Sequence, residues 1–175
     1  MKQFLLLIIC LLGLGTMTAQ AQENSESTDL VLYQEATKAI KDKKFVFKAC
    51  LYDDGKRYYQ VDHAQNYIIL ENDLVTMSYH MTNGSANFRA MQGEVSEYRL
   101  KADKQGNLHL SFSVKSNRIK LSRWNFYIKK GSNHCVMVSS PIRHDEGFTF
   151  IGELVSYDTT GLNLPLIYEQ LNRVE

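Results

Sequence analysis

Proline is scarce in this chain: two among 175 residues, Pro141 and Pro165. Both fall outside the segments that read as strands, as a hydrogen-bond ladder that needs N–H donors requires. Three cysteines do not make a disulfide scaffold, and a chain of this length buries enough surface to fold without one. Charge of one sign is lacking too, with 20 Lys and Arg against 19 Asp and Glu. That balance removes the electrostatic reason to seek nucleic acid or anionic lipid. No Gly-x-Ser-x-Gly turn is present for a strand-borne serine nucleophile. No Gly-rich phosphate loop, His-Glu-x-x-His or Cys-x-x-Cys occurs either. These signatures are specific, so their absence points away from the common hydrolases, nucleotide enzymes and zinc sites, and no cofactor is expected.

One long apolar run exists, and it stands at the N-terminus. Lys2 supplies a positive start, Phe4 to Leu14 the apolar stretch, and Ala19-Gln20-Ala21 a small-x-small cleavage site. This order reads as a secretory signal peptide over residues 1–21, cleaved after Ala21. The run is shorter than the ~20 apolar residues a finished membrane span needs, so no transmembrane segment is expected after processing. Cys10 sits inside the run, with Ile8 and Ile9 before it and Leu11 and Leu12 after it. It is therefore expected to leave with the leader rather than carry a lipid. The protein is expected in the periplasm or outside the cell.

Residues 22–28 are polar and unpatterned and read as a spacer. Residues 29–175 read as a single β-rich domain opened by a helix. Ser27, Thr28 or Asp29 can cap a helix running to about Asp42, with Leu32, Ala36, Ala39 and Ile40 on one stripe. Period-two alternation then takes over. It marks strands from Phe45 to Tyr52, Arg57 to His63, Tyr67 to Leu70, Val75 to Met81, Val95 to Lys101, Leu108 to Lys115, Trp124 to Lys129, His134 to Ser139 and Phe148 to Leu154. Asp53-Asp54-Gly55-Lys56, Asn83-Gly84, Lys104-Gln105-Gly106-Asn107 and Gly131 to Asn133 are the turns, Asn83-Gly84 being the strongest hairpin signal. The segment Phe88 to Gly93 stays ambiguous, and Leu166 to Leu171 reads as a short final helix. About nine short strands at this spacing make an antiparallel barrel-like sheet or a sandwich.

Five histidines occur, and no two are spaced to share a metal from one strand or helix. His80 and His109 lie on polar strand faces and would meet only if their strands are neighbours. His134-Cys135 looks like a Cys/His pair, but adjacent strand residues point to opposite faces. An oxidising location permits Cys50 and Cys135 to pair; the alternative is two separate buried thiols. Arg143-His144-Asp145-Glu146 is the densest polar cluster and sits on a loop, where function gathers. Tyr52, Tyr58, Tyr59, Tyr67, Tyr79 and Tyr98 lie in or beside strands, where cross-strand packing is the first use for them. The candidates for ligand binding are thus Tyr79, His80, Arg143, His144, Asp145 and Glu146, and none is assigned as catalytic.

The stretches FVFKACLYDDGK, LENDLVTMSYHMTNG, EVSEYRLKADKQGNLHLSFSV and GFTFIGELV together resemble the domain of unknown function 4251 family, over about Thr37 to Val155. The closing aromatic-x-Gly strand, Phe150-Ile151-Gly152, anchors the likeness. That family commonly carries a Leu-Pro-Tyr-Phe-Gly-like segment where this chain has Met77-Ser78-Tyr79-His80-Met81, and only Tyr79 is kept, as in a divergent member. The resemblance implies an exported bacterial protein with one β-rich domain, and it brings no catalytic residue. The leading expectation is a non-catalytic envelope protein that binds a small amphipathic ligand, a glycan or an envelope partner. The alternatives are a hydrolase with loop-borne residues, His144, Asp145 and Glu146 first, and an assembly factor that captures a partner strand at a sheet edge.

Overall fold

The computed structural model of the protein describes residues 27–80, 89–116, 122–141 and 147–160. The leader, most of the spacer, Asn83-Gly84, Arg143 to Glu146 and Leu166 to Leu171 lie outside them. A helix, α1, covers residues 27–41 and takes in Ser27 and Thr28 of the expected spacer. Nine strands follow: β1 (Lys44–Asp53), β2 (Tyr58–Gln60), β3 (Tyr67–Glu71), β4 (Leu74–Tyr79), β5 (Arg89–Ala102), β6 (Leu108–Lys115), β7 (Ser122–Ile128), β8 (His134–Pro141) and β9 (Phe148–Ser156). A 3-10 turn, Tyr157–Thr159, comes after β9.

Every pairing is antiparallel, and β1 pairs β9 as well as β3, so the sheet closes into an eight-stranded barrel with one additional short strand. Between the barrel and sandwich readings, the structure is the barrel. The additional strand belongs to the wall. β9 occupies one side of β1 along its length, from Phe45 to Asp53. β2 and β3 therefore lie one after the other along its other side. Between them, residues 61–66 swing out and rejoin β1 through Val61 N–H to the Cys50 carbonyl and Ala49 N–H to the Asn66 carbonyl. Closure satisfies backbone groups that an open sheet would leave as an edge.

Eight strands leave an interior about wide enough for side chains to fill, and here they fill it. Phe45, Phe47, Leu110, Phe112, Trp124, Phe126, Ile128 and Met137 are almost wholly buried inside. Phe126 meets Phe45 and Phe47 edge-on at 5.8 Å and stacks on Phe112 at 5.5 Å. The helix closes one end. Ala36, Ala39 and Ile40 join the interior cluster, Tyr33 donates to the Gly106 carbonyl at 2.8 Å, and Tyr98 donates to the Ile40 carbonyl at 2.6 Å. A second cluster of Val46, Tyr67 and Ile69, with Val155 and Tyr157, lies on the outer side of β1, β3 and β9.

Two irregularities aim residues that strict alternation would misplace. Cys50 is an extra residue in β1, because the register to β9 slips between Ala49 and Leu51. Opposite the slip, β1 crosses so close to Gly152 that a Cβ there would lie 2.8 Å from the Lys48 carbonyl carbon and 2.9 Å from the Ala49 Cα. The aromatic-x-Gly strand thus has a steric reason to end on glycine. In β5 the register slips between Ser96 and Arg99, with Glu97 at φ 54°. This bulge moves the inward phase from Val95 to Tyr98 and Leu100. Of the ambiguous segment at Phe88 to Gly93, Phe88 lies outside the described residues and Arg89 to Gly93 are the start of β5, a 14-residue strand. Pro141, expected outside the strands, is the last residue of β8 opposite Ser122, a terminal position that proline tolerates.

Candidate functional site

The residues favoured by sequence do not converge. Tyr79 and His80 end β4 at the rim away from the helix. Tyr79 turns inward and packs on the interior cluster. His80 donates its backbone N–H to Asn66 Oδ1 at 2.9 Å, and its Nδ1 is buried without a hydrogen-bond partner among the described residues. Arg143, His144, Asp145 and Glu146 lie outside the described residues; the strands that flank them, β8 and β9, meet the same rim. His80 and His109 cannot meet, because β5 lies between their strands. Among the described residues no group of three or more His, Cys, Asp or Glu could hold a metal ion.

The thiols are also apart. Cys50 is exposed in its bulge and its Sγ lies 3.3 Å from the Ile151 carbonyl, while Cys135 is buried; both are free. The disulfide left open by sequence is not formed, since one cysteine serves the outer face and the other the core. Burial pushes the Cys135 thiol pKa up, so it stays protonated and inert. The tyrosines divide as packing dictates. Tyr52, Tyr79 and Tyr98 serve the interior, Tyr67 the outer cluster, and Tyr59 binds Asp54 Oδ2 at 3.0 Å.

A cleft of about 530 Å³ opens elsewhere, lined by Asp103, Asn107, Leu108, His109, Tyr127, Ile128 and Lys129. Strand alternation builds it. In β6 and β7 the residues Leu108, Leu110, Phe126 and Ile128 go inward, which sends His109, Asn125 and Tyr127 outward. Register then sets His109 opposite Tyr127 and Ser111 opposite Asn125. The two rings stack at 4.6 Å with 4° between their planes, and His109 Nε2 lies 3.2 Å from Asn125 Oδ1. Extending the row, Lys101 of β5 faces His109 and Val136 of β8 faces Tyr127. Tyr127 is 48% exposed and Val136 36%, so an apolar strip lies open beside cations.

The turns beneath the cleft are fixed by their own side chains. The Asp103 carboxylate accepts from Gln105 N–H at 2.8 Å, Asn107 N–H at 2.9 Å and Asn107 Nδ2 at 2.8 Å. These bonds, the Asn107 side chain first, hold its pKa below the usual carboxylate range. Asn107 Oδ1 accepts from Lys130 N–H at 3.0 Å, tying the β5–β6 turn to the β7–β8 turn. Among the described residues no serine, threonine or cysteine lines the cleft; His109 Nε2 faces the Asn125 amide, and the Asp103 carboxylate is taken up by its own turn. Higher on the wall, Glu97 accepts from Ser113 at 2.9 Å and pairs with Arg123. That trio braces the β5 bulge.

Sequence reasoning weighed His109 only as a metal partner for His80 and singled out neither Tyr127 nor Lys129. Their spacing of about twenty residues becomes a contact only once β6 and β7 are paired around the intervening loop. That pairing was the missing signal.

Fold and cleft together define the class: a closed antiparallel barrel, stoppered by an N-terminal helix and packed solid within. Among solved structures, a DUF4251 family protein from Bacteroides eggerthii matches it with a TM-score of 0.67 at 20% sequence identity, over 77% of this chain and 94% of that one. The likeness bears out, in fold, the family resemblance read from the sequence, in a divergent chain. No family model and no curated protein matches.

Proposed function

We propose that this chain is a divergent DUF4251 protein, exported to the bacterial envelope, and that it works there as a non-catalytic binding module with its site on the outer wall at Tyr127 and His109. The observation that carries the reading is the 530 Å³ cleft, which falls within the ~300–1,000 Å³ of small-ligand sites. Its wall is a stacked ring pair and its floor two cross-braced turns, so the site is largely preformed and little ordering cost accompanies binding. Binding inside the barrel finds less support, because the interior is occupied by aromatic side chains. Strand capture finds less support, since the wall is closed and only short lengths of strand, the three-residue β2 and the second half of β5 among them, are paired on one side only.

The test is a thermal-shift screen of small amphipathic compounds and oligosaccharides, run on the wild type and on a double variant, His109→Ala with Tyr127→Ala. Ligands that raise the melting temperature of the first and leave that of the second unmoved support the reading. Hits that persist unchanged in the double variant, or a screen with none, would sink it.

A further inference from the structure

We infer that the Tyr127 cleft takes an acidic saccharide, a pyranose ring carrying a carboxylate or sulfate; this rests on reading the cleft as a binding site. Charge is the first ground. Lys101, Lys104, Lys129 and Lys130 surround the cleft on β5, the β5–β6 turn and the β7–β8 turn, and all four are exposed. None takes part in an ion pair among the described residues. The carboxylate that lines the cleft, Asp103, is occupied by three hydrogen bonds from its own turn. In a chain of formal net charge +1, this corner sets four lysines against the one carboxylate of Asp103, a local excess of positive charge.

Shape is the second ground. Tyr127 holds a flat ring open to solvent, its orientation set by the parallel His109 ring, itself facing Asn125. Pyranose rings present a face of C–H groups that lies on such a surface, while their hydroxyls need directional donors and acceptors at its edge. The Tyr127 hydroxyl and the Lys129 ammonium supply these. A nucleic acid would want a longer basic track. The next outward row here is Arg99, Ser111, Asn125 and Val138, which adds a single cation, and Glu153 opposite His134 closes the β9 side. The positive area fits one or two charged sugars.

Calorimetric titration of the purified protein at low salt, with a galacturonic acid oligomer and a neutral galactose oligomer of equal length, tests this. The acidic oligomer is expected to bind at least about tenfold more tightly, and to weaken as salt is raised. Tyr127→Ala, and separately Lys101→Gln with Lys129→Gln, should each weaken it by about tenfold, with unfolding transitions unchanged because these side chains are exposed. Equal binding of both oligomers, lost in Tyr127→Ala, overturns the acidic ligand and leaves the cleft reading intact. So does failure of both oligomers when other screen hits still depend on Tyr127. Acid binding indifferent to Tyr127, or matched by duplex DNA or phosphatidylglycerol vesicles at every salt concentration, overturns the inference in favour of a general cationic patch. A protein with no Tyr127-dependent ligand of any kind overturns both.

Discussion

Gly152 and Gly55 separate two reasons for a glycine. Gly55 has φ 81° and open space around the position of a Cβ, whereas Gly152 faces the backbone of β1. Gly55→Ala is expected to cost about 1 kcal/mol for the left-handed conformation alone. Gly152→Ala should cost about 3 kcal/mol, because a rigid neighbouring strand has to move. Urea denaturation of both variants checks the order, and equal losses would remove the steric account of the aromatic-x-Gly strand. The cysteines give a second test at this scale. Native protein treated with a thiol reagent and digested for mass spectrometry should carry label on exposed Cys50 and none on buried Cys135, which reacts only after unfolding. The sequence left their pairing open; alternation sets Cys50 on the outer face with Lys48, and what it cannot announce is the extra residue after which Tyr52 turns inward.

At the scale of elements, the helix shows what periodicity delivers. The stripe of Leu32, Ala36, Ala39 and Ile40 was legible, and three of those four are buried. What it packs on was not legible, because the barrel end it closes is assembled from turns far along the chain. Ile40→Ala should cost about 2–4 kcal/mol through lost burial and a residual void. Tyr98→Phe, which forfeits the hydroxyl bond to the Ile40 carbonyl, should cost about 1 kcal/mol. Tyr98 reaches that carbonyl because the bulge at Glu97 turns it inward, and here the sequence held a trace: the apolar phase of β5 moves from the odd position Val95 to the even positions Tyr98 and Leu100. The turns carry a pH dependence of definite sign. Asp54 and Asp103 both have lowered pKa values, the first chiefly from the Arg57 backbone N–H and the second chiefly from the Asn107 side chain. Their support for the turns is complete above the ordinary carboxylate range and is lost as pH falls through the lowered values. The protection of the Gln105 and Asn107 amides, taken relative to the intrinsic exchange rate at each pH, should therefore fall between about pH 5 and pH 2, while that of interior strand amides holds.

For the molecule as a whole, the class of fold was readable because inward and outward residues alternate in strand after strand. Closure was not readable: nothing local in FVFKACLYD or FTFIGELVS says that these two segments are partners, and sandwich and barrel share the same alternation. The cleft shares that fate, being a product of pairing order rather than of any motif. Circularity also sets a timetable. Along β1 the chain must wait for β9, and the Cys50 contact with Ile151 spans 101 positions. Such distant partners make folding slow, and a chain ending at Gly147 should give an aggregation-prone coil rather than a smaller barrel, read by the loss of a cooperative melting transition. A nascent polypeptide emerging N-terminus first thus has no finished state to adopt until its final strand arrives. Under the export proposed above, in which the chain is threaded through a narrow translocation channel, this postponement is an advantage: the shape that would jam the passage cannot exist until the passage is nearly over.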